Sequence, residues 1–447
     1  MPKSLVSRAF HAPSLFVAAV ILALSYNFFS FISKYSTNVL FFDQWDFLTL
    51  FFNGQATLTG LFLAQHGPHR EGVGLWADKA LYALTDWNVR AESFMIGGSV
   101  FVAMLLALWV KKRLFGGLSY SDVSIPLMFL TLAQDEALIG TPNPAYGGFP
   151  LAMILLYCVA LLQRNSYLRY GLILIINFCL IYTGFGVFMG IVTIGVCALD
   201  CYWRLRRITS VPAALPAVAL LIAVASLGSF FLRYTFVSAV DCFEFPRRDL
   251  AAYPKYMAVM FANFGGLKTP ILMATLAGAT ILLVSAMVLA FQIPRFVTRD
   301  CSRDAPLIIG VLLSYSLLFA AGTALGRVCL GSIQAQSSRY TTLLIPAFLA
   351  LYLYLLTVPA GAWRKIALGL FAVLLIPNCL HVPPEAAWFA NGKRAWSACY
   401  LQTETITYCD QVTGFPIYPY PERNGLKQKL DYLKQHRLTF FADSLEK

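Results

Sequence analysis

About eleven near-continuous apolar stretches, each close to the length needed to cross a bilayer, fill most of the 447 residues. A hydrocarbon core of roughly 30 Å takes about 20 apolar residues per helical crossing, so few folds remain open to such a chain. With 58% hydrophobic and only 13% charged residues, a soluble core wrapped in a polar surface is excluded. The expected fold is an all-α polytopic membrane protein of about eleven transmembrane helices, within a range of nine to thirteen. Hydropathy places them near 12–33, 94–110, 121–134, 148–163, 168–183, 184–201, 212–233, 269–292, 305–324, 342–358 and 366–382. The first stretch is longer than a signal-peptide core and no small-residue cleavage site follows it, so it reads as a retained helix.

Charge sorts the loops by side. Lys3, Arg8, Lys111, Lys112, Arg113, Arg164, Arg169, Arg204, Arg206, Arg207, Arg295, Arg299, Arg303, Arg364 and Lys365 fall on the side of the N-terminus, against Asp122, Asp200, Asp300 and Asp304. The opposite side is left with 19 basic and 18 acidic residues, so the net charge of +12 belongs almost wholly to loops of one side. The positive-inside rule makes that side cytoplasmic. A nucleic-acid partner is not needed to explain the charge.

Three outer segments stand out: 34–93, 234–268 and 383–447. The first is too apolar and aromatic for disorder and is expected to carry surface-lying amphipathic helices. Leu75, Trp76, Leu81, Tyr82 and Leu84 recur there at helical spacing, with Asp78, Lys79 and Asp86 among them. The chain thus divides into a membrane domain, 1–382, and a small outer C-terminal module, 383–447. In the module, Trp388, Trp396, Tyr418 and Tyr420 can form a packed patch. Residues 422–436 can form an amphipathic helix through Leu426, Leu430 and Leu433. The module either covers the first outer loop or rests on the membrane surface. Most of the ten cysteines lie in apolar stretches, but Cys399 and Cys409 sit in this polar tail. An oxidising compartment would join them; the alternative is two buried thiols.

Candidate chemistry gathers in the outer segments. Phe41-Phe42-Asp43-Gln44-Trp45-Asp46 follows the first helix, and in a helix Asp43 and Asp46 point to one side. Carboxylates at a membrane surface are costly unless paired or working. Gln65-His66-Gly67-Pro68-His69-Arg70-Glu71 adds two of the five histidines, an arginine and a glutamate around a Gly-Pro turn. Asp43, Asp46, His66 and His69 offer either a divalent-metal site or a hydrogen-bond network that holds substrate, and their spacing matches no specific zinc pattern. No other cofactor is indicated. Gln134, Asp135 and Glu136, followed by Asn143 in a Pro/Gly-rich turn, are candidate substrate-binding groups. Arg339, in Gln334-Ala335-Gln336-Ser337-Ser338-Arg339-Tyr340, presents a planar fork suited to phosphate, or else snorkels to headgroups.

These features resemble the GT-C-type integral membrane glycosyltransferases. The acidic motif after the first helix, the long first outer loop, the bundle of ten to thirteen spans and the small outer tail carry the architecture. Phe42-Asp43-Gln44-Trp45-Asp46, Pro68-His69-Arg70-Glu71 and Ser337-Ser338-Arg339-Tyr340 are the local motifs. The resemblance implies an enzyme of a bacterial inner membrane, N-terminus cytoplasmic and C-terminus periplasmic. It would move a sugar from a polyprenyl-phosphate carrier to an outer acceptor with inversion. Asp43 would be the base, supported by Asp46, His66, His69, Arg70 and Glu71, while Arg339, Arg327 and Tyr340 would meet the donor phosphate. The chain departs from the family in having Asp-x-x-Asp rather than the usual acidic pair, and in lacking a large outer domain. That favours a glycan or lipid-linked acceptor over a peptide. A transporter or flippase for lipid-linked glycans would want polar groups deep in its helices, where only scattered residues such as Asn177 and Asn263 occur. A non-catalytic envelope scaffold would leave the His/Arg/Glu cluster without use. A periplasm-specific reporter fused after residue 447 is expected to be active; activity of a cytoplasm-only reporter there would reverse the side of every site residue.

Overall fold

A computed structural model of the chain describes residues 11–205, 214–238, 240–297, 304–422 and 425–443. Of the charges assigned to cytoplasmic loops, Lys3, Arg8, Arg206, Arg207, Arg299, Asp300 and Arg303 lie outside the described residues, as does the side chain of Arg204.

The described residues are helical apart from one two-stranded hairpin, β1 (Gln65–His66) and β2 (His69–Arg70). The longer helices are α1 (His11–Tyr35), α2 (Gly72–Thr85), α3 (Val89–Phe115), α4 (Ser124–Phe129), α5 (Gly148–Leu161), α6 (Ser166–Ile181), α7 (Val187–Leu205) and α8 (Ala214–Ser229). They continue with α9 (Ala252–Phe264), α10 (Ile271–Val297), α11 (Asp304–Arg327), α12 (Thr341–Thr357), α13 (Ala362–Leu380), α14 (Pro384–Thr403), α15 (Ile406–Thr413) and α16 (Leu426–His436). Among the described residues seven helices are long and apolar enough to cross a membrane, and α5, α6 and α8 are shorter apolar helices. The faces that α1, α8, α10 and α13 turn outward carry Leu22, Leu221, Leu272, Leu283 and Leu374. Apolar bands of this extent suit lipid rather than water.

Local chemistry sets several helix ends. Asn88 caps α3 by accepting from the Arg90 N–H at 2.9 Å, and α3 stops at Gly116, whose φ of +87° suits glycine. The continuous helix expected over 121–134 is broken after Phe129, giving α4 followed by irregular chain and a wide π turn at Glu136–Gly140. The Gln134 amide accounts for the break by donating to the Phe129 and Thr131 carbonyls at 2.7 and 3.1 Å, while the Leu132 N–H donates to the Asn378 carbonyl at 2.8 Å. Irregular backbone at this depth is tolerated because the surrounding protein satisfies it. In α12, Pro346 interrupts the ladder, and Ser316 of α11 repairs it by donating to Leu343 O and accepting from Ala347 N.

Segment 234–268, expected to be an outer loop, contains α9. Its 13 residues reach about 20 Å, too short to cross. They pack against α10, with Phe264 stacked on Phe348 of α12 at 3.8 Å.

Among the described residues two large hydrophobic cores result, beside a small third cluster of Ile181, Tyr182 and Phe230. One lies within the bundle. The other sits at one end and joins the first loop (Phe41, Trp45, Leu48, Phe51, Leu75) to the tail (Trp396, Phe415, Ile417, Leu430). At the opposite end of the bundle, Lys111 of α3 donates to Asp122 at 2.6 Å, and Tyr352 of α12 donates to the other Asp122 oxygen at 2.5 Å. Both charged side chains are almost fully buried. Asp122→Ala leaves Lys111 buried without its counter-charge and is expected to cost about 3–5 kcal/mol. Thermal unfolding in detergent measures this, and a midpoint within about two degrees of the native protein would show that the pair contributes little.

Candidate functional site

Asp43 begins a short helical turn that the rest of the molecule grips from two sides. Gln44 is buried beneath it; its carbonyl oxygen accepts from the Phe41 N–H at 3.0 Å, and its amide donates to Pro142 O at 3.1 Å and to Glu92 at 3.3 Å. From the other side, Phe42 donates its N–H to the Ile417 carbonyl at 3.0 Å. Phe42 has φ +54°, a strained value for a bulky residue, which marks a position held by its surroundings.

The expectation that Asp43 and Asp46 act as a pair on one side does not describe their contacts. Asp46 is taken by the tail, where the Tyr418 hydroxyl donates to both carboxylate oxygens at 3.0 and 3.1 Å. Lys429 of α16 donates to the Trp45 carbonyl and, at 3.1 Å, to the Thr49 hydroxyl. Burial raises the Asp46 carboxyl above the usual range, and Tyr418, His66 and Lys429 pull it back. Asp43 is half-buried, and its charge acts on Glu71, Tyr146 and Arg339 as well as on Asp46.

The hairpin brings the histidines together. Gly67, at φ +54°, makes the turn, and His66 and His69 are directly paired across the strands, hence on one face. His66 stands edge-on to Phe47 at 6.2 Å, and His69 packs on Phe185 at 4.3 Å and Tyr146 at 5.6 Å. Burial, reinforced by Arg327 and His66, pushes the His69 imidazole down to about 3, so it is neutral at physiological pH. Glu71 is buried beside the Tyr146 hydroxyl and Asn143, with neither carboxylate oxygen in a well-aligned hydrogen bond. Burial raises its pKa, and Tyr146 and Asn143 partly offset this. Asn143 uses its side-chain oxygen on the Ala145 N–H at 2.8 Å, which leaves its amide hydrogens for the site.

Arg70 and Gln134 have other work. The Arg70 guanidinium is consumed by the carbonyls of Leu63, Phe230 and Leu232, the Phe230 bonds being 3.1 and 3.0 Å, so Arg70 is a clamp between loops rather than a catalytic group. Gln134 is fully used in mending the α4 break and in accepting from Thr342 at 2.9 Å, so it has nothing left for substrate. Tyr340 is buried beneath Arg339 and beside Tyr256. Asp78 of α2 is fully buried, and burial together with Glu92 and Glu71 raises its pKa well above the carboxylate range. Among the described residues no group of three or more His, Cys, Asp and Glu side chains is placed to hold a metal ion. Within the expected set of Asp43, Asp46, His66 and His69, Asp46 is engaged by Tyr418 and His69 by aromatic rings.

Two cavities flank the Asp43 turn. The first, about 410 Å³, is bordered by Phe42, Asp135, Glu136, Gln334, Arg339 and Trp388. The second, about 350 Å³, is apolar, walled by Phe185, Phe188, Phe230, Phe236, Phe243 and Phe245, with His69 and Arg327 also in its lining. Arg339 is committed to Glu136 at 3.3 Å and to Ser337 at 3.0 Å, whereas Arg327 has no ion pair among the described residues. Tyr146 lies within electrostatic reach of both Asp43 and Arg327.

Two disulfides are present. Cys399–Cys409 staples the tail, and Cys242–Cys329 ties the phenylalanine-rich wall of the second cavity to the chain just after Arg327. Sequence reading missed the second pair, although Cys242 stands in the polar run Asp241-Cys242-Phe243-Glu244. The parts played by Tyr146, Tyr418, Lys429 and the wall at 236–245 had no local signal, since each depends on segments far apart in the chain. Compared with protein-family models, curated proteins and solved structures, the chain matches none.

Below pH 6.5 an unfolded chain protonates this histidine while the folded one, with His69 near 3, does not. The unfolded state then binds more protons, so stability falls as pH falls through this window. Unfolding measured at pH 7.5 and pH 5 is expected to show a loss about 1–2 kcal/mol smaller in His69→Gln than in the native protein, after allowance for water in the cavity. Equal acid losses in the two proteins would mean that His69 is protonated in the fold.

Proposed function

We propose that the protein is an integral membrane glycosyltransferase that moves a sugar from a polyprenyl-phosphate carrier to a glycan or lipid-linked acceptor on the periplasmic face of a bacterial inner membrane. In this reading eleven segments cross the bilayer: α1, α3, the broken stretch from Tyr120 to Gly140, α5 to α8, and α10 to α13. The basic loops face the cytoplasm, while the Asp43 turn, the hairpin and the tail face outward.

The observation that carries the reading is Arg327, without an ion pair among the described residues, in the lining of a phenylalanine-rich cavity, with Tyr146 within electrostatic reach of both it and the Asp43 carboxylate. An isoprenoid phosphate has the same two parts, an apolar chain and an anionic head. Glycosyl transfer needs a base on one face of the sugar and charge stabilisation for a departing phosphate on the other. Asp43 would take the proton of the acceptor hydroxyl as its oxygen bonds to the anomeric carbon. The bond from that carbon to the carrier phosphate breaks, and both electrons leave with the phosphate oxygen. Arg327 would meet the charge that develops there, and a single displacement inverts the anomeric centre. Glu71, whose carboxyl is raised by its burial, and the Tyr146 hydroxyl would hold the sugar hydroxyls between the two ends. Arg339, already bound to Glu136, would serve as a wall of the site rather than as the main phosphate ligand.

Transfer of a labelled sugar from polyprenyl phosphate to envelope glycans in membranes tests this assignment. Asp43→Asn keeps the shape of the side chain but cannot accept the proton, and turnover should fall by about 10² or more with donor binding intact. Arg327→Ala should weaken donor binding by about tenfold or more, and Arg339→Lys, which can keep an ion pair with Glu136, should change it by less than about threefold. Near-normal transfer by Asp43→Asn would remove this carboxylate from the mechanism. A larger donor-binding loss in Arg339→Lys than in Arg327→Ala would move the phosphate to the other cavity.

A further inference from the structure

The first cavity differs from the second in the state of its cations. Both of its basic groups are neutralised in place, Arg339 by Glu136 at 3.3 Å and Lys268 by Glu385 at 3.5 Å. Asp135, itself buried, is the remaining charged group of the lining, so the cavity carries a small negative surplus and does not suit a phosphate or another anion. Two of its other polar groups can both donate and accept: among the described residues the Gln334 amide makes no side-chain hydrogen bond and Gln336 spends only its amide N–H on the Lys268 carbonyl at 2.6 Å, while the Ser338 hydroxyl is taken by the Glu136 N–H at 3.0 Å and by Asp135. This is the hydrogen-bonding inventory that hydroxyl groups need.

The aromatic wall supplies the other half of the recognition. Trp388 of α14 remains 52% exposed although its ring is braced by Phe415 at 4.6 Å, Phe389 at 5.1 Å and Phe41 at 6.3 Å. An open indole face fixed in this way is a rigid, low-entropy contact surface. Its setting differs from that of Trp363, which is 85% exposed on the helix at the far end of the bundle and lines neither cavity. A pyranose ring has one face of C–H groups and a rim of hydroxyls, so it fits an aromatic plane bordered by carboxylates and amides. Phe42, next to Asp43, forms part of the same wall, and Arg339 of the lining feels the Asp43 charge. The Asp43 turn thus borders the cavity that Trp388 lines.

We infer that the first cavity is a saccharide subsite, in which a neutral pyranose of the acceptor stacks on Trp388 and hydrogen-bonds Asp135, Gln334 and Gln336. The inference rests on the glycosyltransferase reading for its role as acceptor site, though the binding itself does not. A volume of about 410 Å³ lies within the range of sites for small ligands, so the subsite takes the terminal residues of a glycan and leaves the remainder outside.

Saturation-transfer NMR on the full chain in nanodiscs tests the binding directly, with methyl β-glucopyranoside, methyl β-galactopyranoside, N-acetylglucosamine and tri-alanine as probes. At least one pyranose should receive saturation at its ring C–H positions and tri-alanine should receive none. Trp388→Ala should cut the signal about tenfold and Gln334→Ala about threefold, while Trp388→Phe, which keeps an aromatic face, stays within about threefold of the native protein. Arg327→Ala should leave glycoside binding unchanged, because that residue belongs to the other cavity. The inference is overturned if no pyranose is bound, if tri-alanine is bound instead, or if neither Trp388→Ala nor Gln334→Ala alters the signal. Glycoside binding that depends on Trp388, in a protein that transfers no sugar from polyprenyl phosphate, would keep the subsite and overturn the transferase reading; sugar transfer without any glycoside binding would do the reverse.

Discussion

The seating of the tail on the first outer loop is the contact on which the candidate site depends. A four-residue turn beginning at Asp43 has almost no stability of its own, because so short a helix cannot offset the entropy of its nucleation. What holds it is shared burial: Phe41 stacks on Phe415 at 4.8 Å, Trp45 disappears into the common core, and the Phe42 N–H is bonded to Ile417. The same contact keeps Phe42 in a backbone region that costs a non-glycine residue of order 1–3 kcal/mol. Tyr418 and Lys429 then occupy the polar groups on the tail-facing side, which leaves Asp43 as the half-buried carboxylate of the turn that acts on Glu71 and Tyr146.

Around that turn the molecule separates two kinds of positive charge. The Arg339 guanidinium is pinned by Glu136 and Ser337, and a pinned cation organises a wall without drawing anions strongly. Arg327 has no ion pair among the described residues and borders a largely apolar cavity, where the effective dielectric is low and its attraction for an anion is strongest. Two arginines only twelve positions apart in the chain thus serve opposite purposes. The Cys242–Cys329 bond keeps the aromatic wall of the apolar cavity next to the residue that gives it polarity.

Much of this was legible in the sequence wherever the signal was local. Long apolar stretches announce helices because hydropathy sums over neighbours, and Gly67-Pro68 announced a turn, though not the hairpin that pairs His66 with His69. That Asp43 and Glu71 act on one another fits their place in the same outer loop. Reading failed where a side chain's partner is a distant carbonyl, since no composition rule says that Arg70 will meet Phe230 or that Gln134 will repair a broken helix. The burial of Asp78 had no local signal either, since it depends on how α2 seats on α3 beside Glu92. The α9 insertion was hidden by its length, which falls between a loop and a crossing.

Because Tyr418 reaches Asp46 across 372 positions of chain, the turn that bears Asp43 is an early product of the ribosome waiting on a late one. Until the last helices have been synthesised and folded back, Phe42 has no carbonyl at Ile417 to hold it, and the aromatic core that fixes the turn is only half present. Contacts of such long sequence separation form last, after the entropy of closing the whole intervening chain has been met. Chains stalled before residue 415 would carry the helices of the bundle and still lack an ordered Asp43 turn. The order of synthesis thereby sets the order of assembly, with this turn fixed only after the segment around Ile417 and Tyr418 has docked.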